Sequence, residues 1–389
     1  MFKALADFYK ELKDCFRLFS ASSAKCRKIV FYSESDIYYQ YYEGIIEELL
    51  KKPDIEIAYV TSDINDSIFS GKNPRIKPFY INNLLSIAMI YFDSKAFIMT
   101  MPDLDNFHIK RSINGVHYIY AFHAIGSTHL QYRREAFDNY DAVLCVGPHQ
   151  VKEIKKAEEV YGLKPKTLIE CGYHRIEKIW LDHRGYAENE TFSGGGRTTV
   201  MIAPTWSPDN ILDSCIYKII DALKTEPSLN VVIRPHPEYI KRFGEKVAAI
   251  RKYISDANNF SLELDMLKDE NLHKADVLIT DWSGIYLEYA LGTCRPVLFI
   301  NTPCRIDNKE YRKLEIEPME LALRPLCGSV LEPENISAVK SAIGELIENR
   351  RKYGENLNKI RGEYLFNFLN SSAAAADYIL KIADGQAAE

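Results

Sequence analysis

Lys274-Ala-Asp-Val-Leu-Ile-Thr-Asp281-Trp282-Ser283-Gly284-Ile-Tyr-Leu-Glu288-Tyr-Ala-Leu-Gly292-Thr-Cys-Arg295-Pro296-Val-Leu-Phe decides how the rest of the chain is read. Residues 276–280 form the short, β-branched apolar run that a buried parallel strand needs. Residues 285–291 switch to helical spacing, so Asp281 to Gly284 is the tight turn between strand and helix. An anion suits such a turn, because the first N–H groups of a helix lack internal partners and carry the positive end of its dipole. Ser283 and Gly284 keep that end small and approachable, and Glu288 follows one turn later, within reach of a sugar hydroxyl. Gly292 stops the helix, and residues 295–299 begin the next strand. The same stretch also reads as an ordinary βαβ unit with Asp and Ser as caps.

The 389 residues suit two domains better than one, at roughly 100–200 residues each. A net charge of −5 argues against a broad nucleic-acid surface, so no nucleic-acid partner is expected. Eight scattered cysteines, with no CxxC pair, read as reduced thiols rather than disulfides or a zinc site. Residues 1–20 lack the apolar core and cleavage site of a signal peptide, and the longest greasy run, 84–92, is too short to span a bilayer. A cytoplasmic protein is the expectation. The opening helix places Phe2, Leu5, Phe8, Tyr9, Leu12, Phe16 and Phe19 at spacings of three and four, with Lys3, Lys10, Lys13 and Arg17 interleaved. Packing on the protein's own core is its commoner fate. Its basic face also fits peripheral contact with the inner face of an anionic membrane.

Strands are predicted over 28–32, 55–61, 96–101, 118–122, 142–146 and 167–170, alternating with helical or polar segments. After a linker-like stretch between Trp180 and Thr199, a second series follows at 199–203, 230–234, 261–264, 277–280 and 297–301. Helices close the chain at 337–351 and 356–382, the latter broken near residues 370–372. Such alternation means parallel sheets covered on both faces. The expected organisation is α/β: a Rossmann-like acceptor domain over 1–180, a Rossmann-like nucleotide-donor domain over 198–370, a C-terminal helix and tail over 371–389, and a cleft between the two sheets.

Ligands of open parallel sheets bind beyond the carboxyl ends of the strands. Four strand ends there carry candidate chemistry. His123 is the first polar side chain after 118–122, and a neutral imidazole there could accept a proton from an attacking hydroxyl. A hydrogen-bonded turn residue is the plainer alternative. Arg234-Pro235-His236-Pro237 ends another strand; the prolines restrict the backbone, Arg234 can grip a phosphate bidentately, and His236 can face a phosphate oxygen. Ala203-Pro204-Thr205-Trp206 offers a hydroxyl and a flat ring, with a core role for Trp206 the alternative. The Asp281 to Gly284 turn is the fourth. Asp103-Leu-Asp105 has the form of a metal-holding acid pair, but it lies in the first half and no metal site is assigned.

As a set, His123, Ala203-Pro-Thr-Trp206, Arg234-Pro-His-Pro237 and Thr280-Asp-Trp-Ser-Gly284 followed by Glu288 and Arg295-Pro296 resemble the CDP-glycerol glycerophosphotransferases of teichoic acid and related capsule synthesis. The resemblance covers about residues 118–300. It implies the GT-B architecture, with His123 as base on the acceptor hydroxyl and His236 on the donor phosphates. Arg234, Thr280, Ser283 and Gly284 would bind the donor phosphates, and Glu288, Thr205, Trp206 and Asp281 the nucleotide. Two departures from the family pattern stand out: Trp282-Ser283-Gly284 replaces Tyr-Ser-Ser, and Ala124 replaces a Gly after the histidine. The implied reaction moves a glycerol-phosphate or similar unit from a CDP-linked donor to a hydroxyl of a glycan or lipid-linked acceptor, releasing CMP. No cofactor is expected beyond the nucleotide-linked donor, with a divalent metal left open. The alternatives are a GT-B glycosyltransferase using a nucleotide sugar and a non-catalytic nucleotide-binding protein of capsule assembly.

Overall fold

In the computed structural model, residues 2–189, 196–265 and 268–386 are described. Two parallel sheets organise them. The first contains β1 (Ile29–Ser33), β2 (Ile57–Thr61), β3 (Ile76–Tyr80), β4 (Ala96–Met99), β5 (His117–Ala121), β6 (Ala142–Cys145) and β7 (Thr167–Glu170), in the order β3-β2-β1-β4-β5-β6-β7. The second contains β8 (Thr198–Ile202), β9 (Leu229–Ile233), β10 (Phe260–Leu262), β11 (Val277–Thr280), β12 (Val297–Ile300) and β13 (Gly328–Leu331), in the order β10-β9-β8-β11-β12-β13. Every strand pairing is parallel. Strand order reverses between β1 and β4 and again between β8 and β11, and these reversals open the crevices where ligands of such sheets sit.

Every residue of β1, β2, β4, β6, β11 and β12 is buried, which explains their unbroken apolar sequence. The unforeseen strands, β3 and β13, are edges. β3 carries Lys77 and Pro78, and proline is tolerated there because an edge strand leaves one row of N–H groups outside the ladder. The linker expected after Trp180 is, up to Asn189, the continuation of helix His174–Asn189. The Ser193-Gly194-Gly195 part of that linker lies outside the described residues.

The closing helices also differ from expectation. The break falls at residues 365–370, where Asn367 and Leu369 take positive φ. There the chain returns to the first sheet. The Phe366 N–H donates to the Val146 carbonyl at 3.0 Å, and the Asn367 side-chain amide donates to the Glu170 carbonyl at 2.6 Å. Helix Ser371–Ala383 then joins the core under β1, β2 and β4 through Ala375, Ile379 and Ile382. It therefore belongs to the first half structurally.

Helix Phe2–Phe19 reverses the simplest expectation for an amphipathic helix. Its acids face inward: Glu11 accepts from the Asn82 and Leu84 N–H groups at 2.7 Å, and Asp14 accepts from the Tyr80 N–H at 3.0 Å. Leu18 is buried, but Leu5, Tyr9 and Phe16 point outward, Phe16 with 76% of its surface exposed.

Candidate active site

β11 ends in Thr280, and the next residue organises the turn. Asp281 is fully buried. One carboxylate oxygen accepts from the Thr205 and Trp282 N–H groups, both at 2.7 Å, and the other accepts from the Ile211 N–H at 3.1 Å. The Thr280 hydroxyl donates to the Ala203 carbonyl at 2.7 Å. Both were expected to touch the donor with their side chains. Both instead have their polar atoms committed inside the protein, tying the turn after β11 to the turn after β8 across the strand reversal. Thr205 is buried and its backbone serves this clamp. Trp282 donates its indole N–H to the Thr302 carbonyl at 2.7 Å and lies 3.7 Å from the Arg324 guanidinium. Ser283 and Gly284 then open helix Ile285–Thr293, and a Cβ placed on Gly284 would meet no atom within 4 Å. The backbone thus faces open space at this helix start.

His236 precedes helix Pro237–Arg242 and caps it, its Nδ1 accepting from the Glu238 N–H at 3.1 Å. In the neutral ring this leaves the proton on Nε2, which can donate outward. Burial, helped by the charge of Arg305 and opposed by Glu238, lowers His236 to about 4. His123 follows β5 on the other sheet, its ring edge-on to Tyr38, Tyr41 and Tyr132 at 5.7, 6.1 and 6.2 Å between centroids. Burial lowers it to about 4 as well, against the Thr100 backbone and with Arg305 again disfavouring the cation. Both imidazoles are therefore neutral at pH 7, and one guanidinium acts on both.

Arg234 is buried at the end of β9, with Glu263 at 3.6 Å and Asp269 at 3.8 Å. Asp269 also receives the fork of Arg175, at 2.7 Å from Nη2, and Arg175 lies 3.6 Å from Glu288. Glu288 accepts from the Tyr173 hydroxyl at 3.0 Å. Burial raises Glu288 above the ordinary carboxylate range despite Arg175. For Asp269, burial pushes the same way, but the Arg175 and Arg234 charges outweigh it and hold that carboxyl low. Sequence reading found Arg234 and Glu288 and missed their neighbours Arg175, Tyr173 and Asp269, which come from distant segments.

The loop after His123 binds the two halves together. The Ser127 N–H donates to Glu320 at 2.8 Å, the Met319 N–H donates to the Ser127 hydroxyl at 2.6 Å, and the Asp307 and Asn308 N–H groups donate to the Leu130 carbonyl at 3.1 and 3.3 Å. Trp206, half-buried, lies 6.3 Å from the His236 ring, with the Arg242 and Arg305 guanidiniums 4.7 and 5.0 Å from its own ring. Among the described residues no group of three or more His, Cys, Asp or Glu could hold a metal ion. Asp103 pairs with Arg133 at 3.1 Å, and Asp105 accepts from the Arg111 N–H at 3.3 Å.

Residues 15–330 match the family model described as CDP-Glycerol:Poly(glycerophosphate) glycerophosphotransferase. The chain belongs to that family. It is a CDP-glycerol glycerophosphotransferase enzyme, and membership implies a CDP-glycerol donor and a glycan acceptor. Wall teichoic acid polymerase TagF, in a variant soaked with CDPG, overlays the transferase with a TM-score of 0.61 at 14% identity, covering 100% of this chain and 98% of that one. MnaA of S. aureus with UDP gives 0.58 at 14% identity, covering 93% and 98%. UDP-GlcNAc 2-epimerase from Neisseria meningitidis, bound to UDP-GlcNAc, gives 0.57 at 14%, covering 91% and 98%. At such identities the likeness concerns the fold, and the transferase has the two-sheet GT-B architecture. No curated protein sequence matches it.

Sequence reading missed Tyr38, Tyr41 and Tyr132, whose rings surround His123, and Arg305, which lies beside Trp206. The run Tyr38-Tyr-Gln-Tyr-Tyr42 directly after the first strand was a usable signal for two of them.

Proposed function

We propose that the enzyme catalyses in-line attack of an acceptor hydroxyl on the distal phosphorus of a CDP-linked polyol, transferring glycerol phosphate or a similar unit and expelling CMP. The acceptor is a hydroxyl of a cell-surface glycan or a lipid-linked precursor. His123 takes the hydroxyl proton; a neutral ring is the form able to do so. His236 offers Nε2–H to a donor phosphate oxygen. The amide-lined start of helix Ile285–Thr293, at Ser283 and Gly284, receives the diphosphate. Arg234 adds positive charge from behind the site. Glu288, held by Tyr173 and Arg175, faces the ribose, and Thr205 and Trp206 border the nucleotide. Thr280 and Asp281 shape the turn from within.

The observation that supports this reading most is that the Arg305 loop is hydrogen-bonded to Leu130, close to the Tyr132 ring beside His123, while its guanidinium lies 5.0 Å from Trp206, the ring beside His236, so imidazoles from the two sheets flank one cation. Such an arrangement supplies a base on one wall and hydrogen-bond donors on the other, and phosphoryl transfer needs chiefly positioning and charge stabilisation. The test is a donor panel scored by nucleotide released. CMP from CDP-glycerol or CDP-ribitol is expected, with no UDP or GDP freed from nucleotide sugars; UDP or GDP release without CMP would overturn the assignment.

The acceptor reading extends to the membrane. Among the described residues no helix is long and apolar enough to cross a bilayer. Leu5, Tyr9 and Phe16 project from helix Phe2–Phe19 alongside exposed Lys3, Lys13 and Arg17, a combination suited to lying on an anionic lipid surface at the cytoplasmic face. Co-sedimentation with phosphatidylglycerol vesicles is expected, weakening in high salt, and Leu5→Ser with Phe16→Ser should release the protein. Equal binding to neutral phosphatidylcholine vesicles, or no binding to either, would refute it.

A further inference from the structure

Arg234, the arginine marked by its motif, has carboxylates as neighbours on two sides, Glu263 and Asp269. A second arginine is placed differently. Arg305 stands on the loop after β12, one-third exposed, and its guanidinium is gripped side-on by Asp307 through Nε at 3.3 Å and Nη2 at 2.6 Å. A guanidinium has five N–H donors, so three remain outside that pair. Two backbone bonds from Asp307 and Asn308 to Leu130 pin this loop across the cleft onto the first half. Leu130 is two residues from Tyr132, whose ring lies 6.2 Å from His123. On the opposite side the guanidinium is 5.0 Å from the Trp206 ring, itself 6.3 Å from His236.

We propose that Arg305 is the cation that grips the distal phosphate of the donor between His123 and His236. The proposal rests on the phosphotransfer reading above. In the step it serves, the acceptor oxygen bonds to the distal phosphorus as the bond from that phosphorus to the bridging oxygen breaks. The bonding electron pair leaves with CMP, and the hydroxyl proton passes to His123. Arg305 makes and breaks no bond; it neutralises the non-bridging oxygens, for which its planar fork is suited. Its charge already disfavours the protonated form of both imidazoles. Other charged groups near them are Asp307 on Arg305 itself, Arg242 beside Trp206, Glu238 beyond His236, Glu34 near Tyr38 and Glu320 near Tyr132. A bound phosphate held by Arg305 would oppose that effect and make the neighbouring imidazole more basic.

CDP carries the distal phosphate and CMP does not, so isothermal titration with each nucleotide isolates the contact. Arg305→Gln should weaken CDP by about tenfold or more and CMP by about twofold at most, since a hydrogen-bonded charge contact is lost in one case only. Arg305→Lys, which keeps charge without the fork, should fall between. Equal weakening of both nucleotides, or no change for CDP, overturns the role of Arg305 while leaving the donor reading intact. Failure of the unaltered enzyme to bind either cytidine nucleotide overturns the donor reading and this role with it.

Discussion

His123→Ala should lower the rate of CMP release by about 10²- to 10⁴-fold, the usual contribution of a positioned general base, while CDP binds as before. The separation follows from where the residue sits. His123 belongs to the first sheet and packs against the rings of Tyr38, Tyr41 and Tyr132, whereas the proposed nucleotide contacts come from the second. Stopped assays of CMP release paired with CDP titration measure both quantities on one preparation. Loss of CDP binding in the variant would make His123 structural. Retained activity would remove it from the reaction.

The same placement fixes a pH dependence. The neutral ring is the active form, and burial lowers His123 to about 4, so kcat/KM should hold steady from neutral pH down toward 5 and fall near 4. A ring with the ordinary value near 6.5 would lose activity about 2.5 pH units earlier. Stability follows the same sign. Between about 4 and 6.5 the unfolded chain binds protons that buried His123 and His236 do not, so the fold gains stability as pH rises through that window.

Asp281→Ala should destabilise the protein by roughly 3–5 kcal/mol, because three buried N–H donors, those of Thr205, Trp282 and Ile211, lose their acceptor together. Urea unfolding followed by circular dichroism would show the loss as a lower midpoint. Asp281→Asn keeps one acceptor oxygen and should cost less. An alanine variant as stable as the parent, but unable to bind CDP, would return Asp281 to direct contact with the nucleotide.

Asp281 marks how far the sequence alone reaches. The strand and turn from Asp276 to Gly284 were legible because a fully buried strand must be continuously apolar, whereas helix Ile285–Thr293 is buried on nearly every side and shows little periodic spacing. Both sheets followed from the same logic. Two of the four edge strands, β3 and β13, did not; for β3 the reason is that Ile76–Tyr80 includes Lys77 and Pro78 and its burial is only partial. Motif residues were found, but not the direction each side chain takes. Asp281 in a tight turn is equally suited to facing a ligand or its own backbone, and only the fold brings Thr205 and Ile211 within reach of it. Arg305 carried no motif at all. Its place depends on a loop after β12 being hydrogen-bonded to Leu130, a contact between residues more than 170 positions apart. The opening helix taught the converse lesson: periodicity showed two faces, yet Glu11 and Asp14 dock by accepting backbone N–H groups, leaving Leu5 and Phe16 outside.

The central claim, attack at phosphorus, is tested most directly by following the distal phosphate itself. CDP-glycerol labelled with ³²P at that phosphate is incubated with the enzyme and a glycan acceptor, and the products are separated. The account predicts label on the acceptor and unlabelled CMP; label remaining in released CDP would place the broken bond on the carbon side and contradict it.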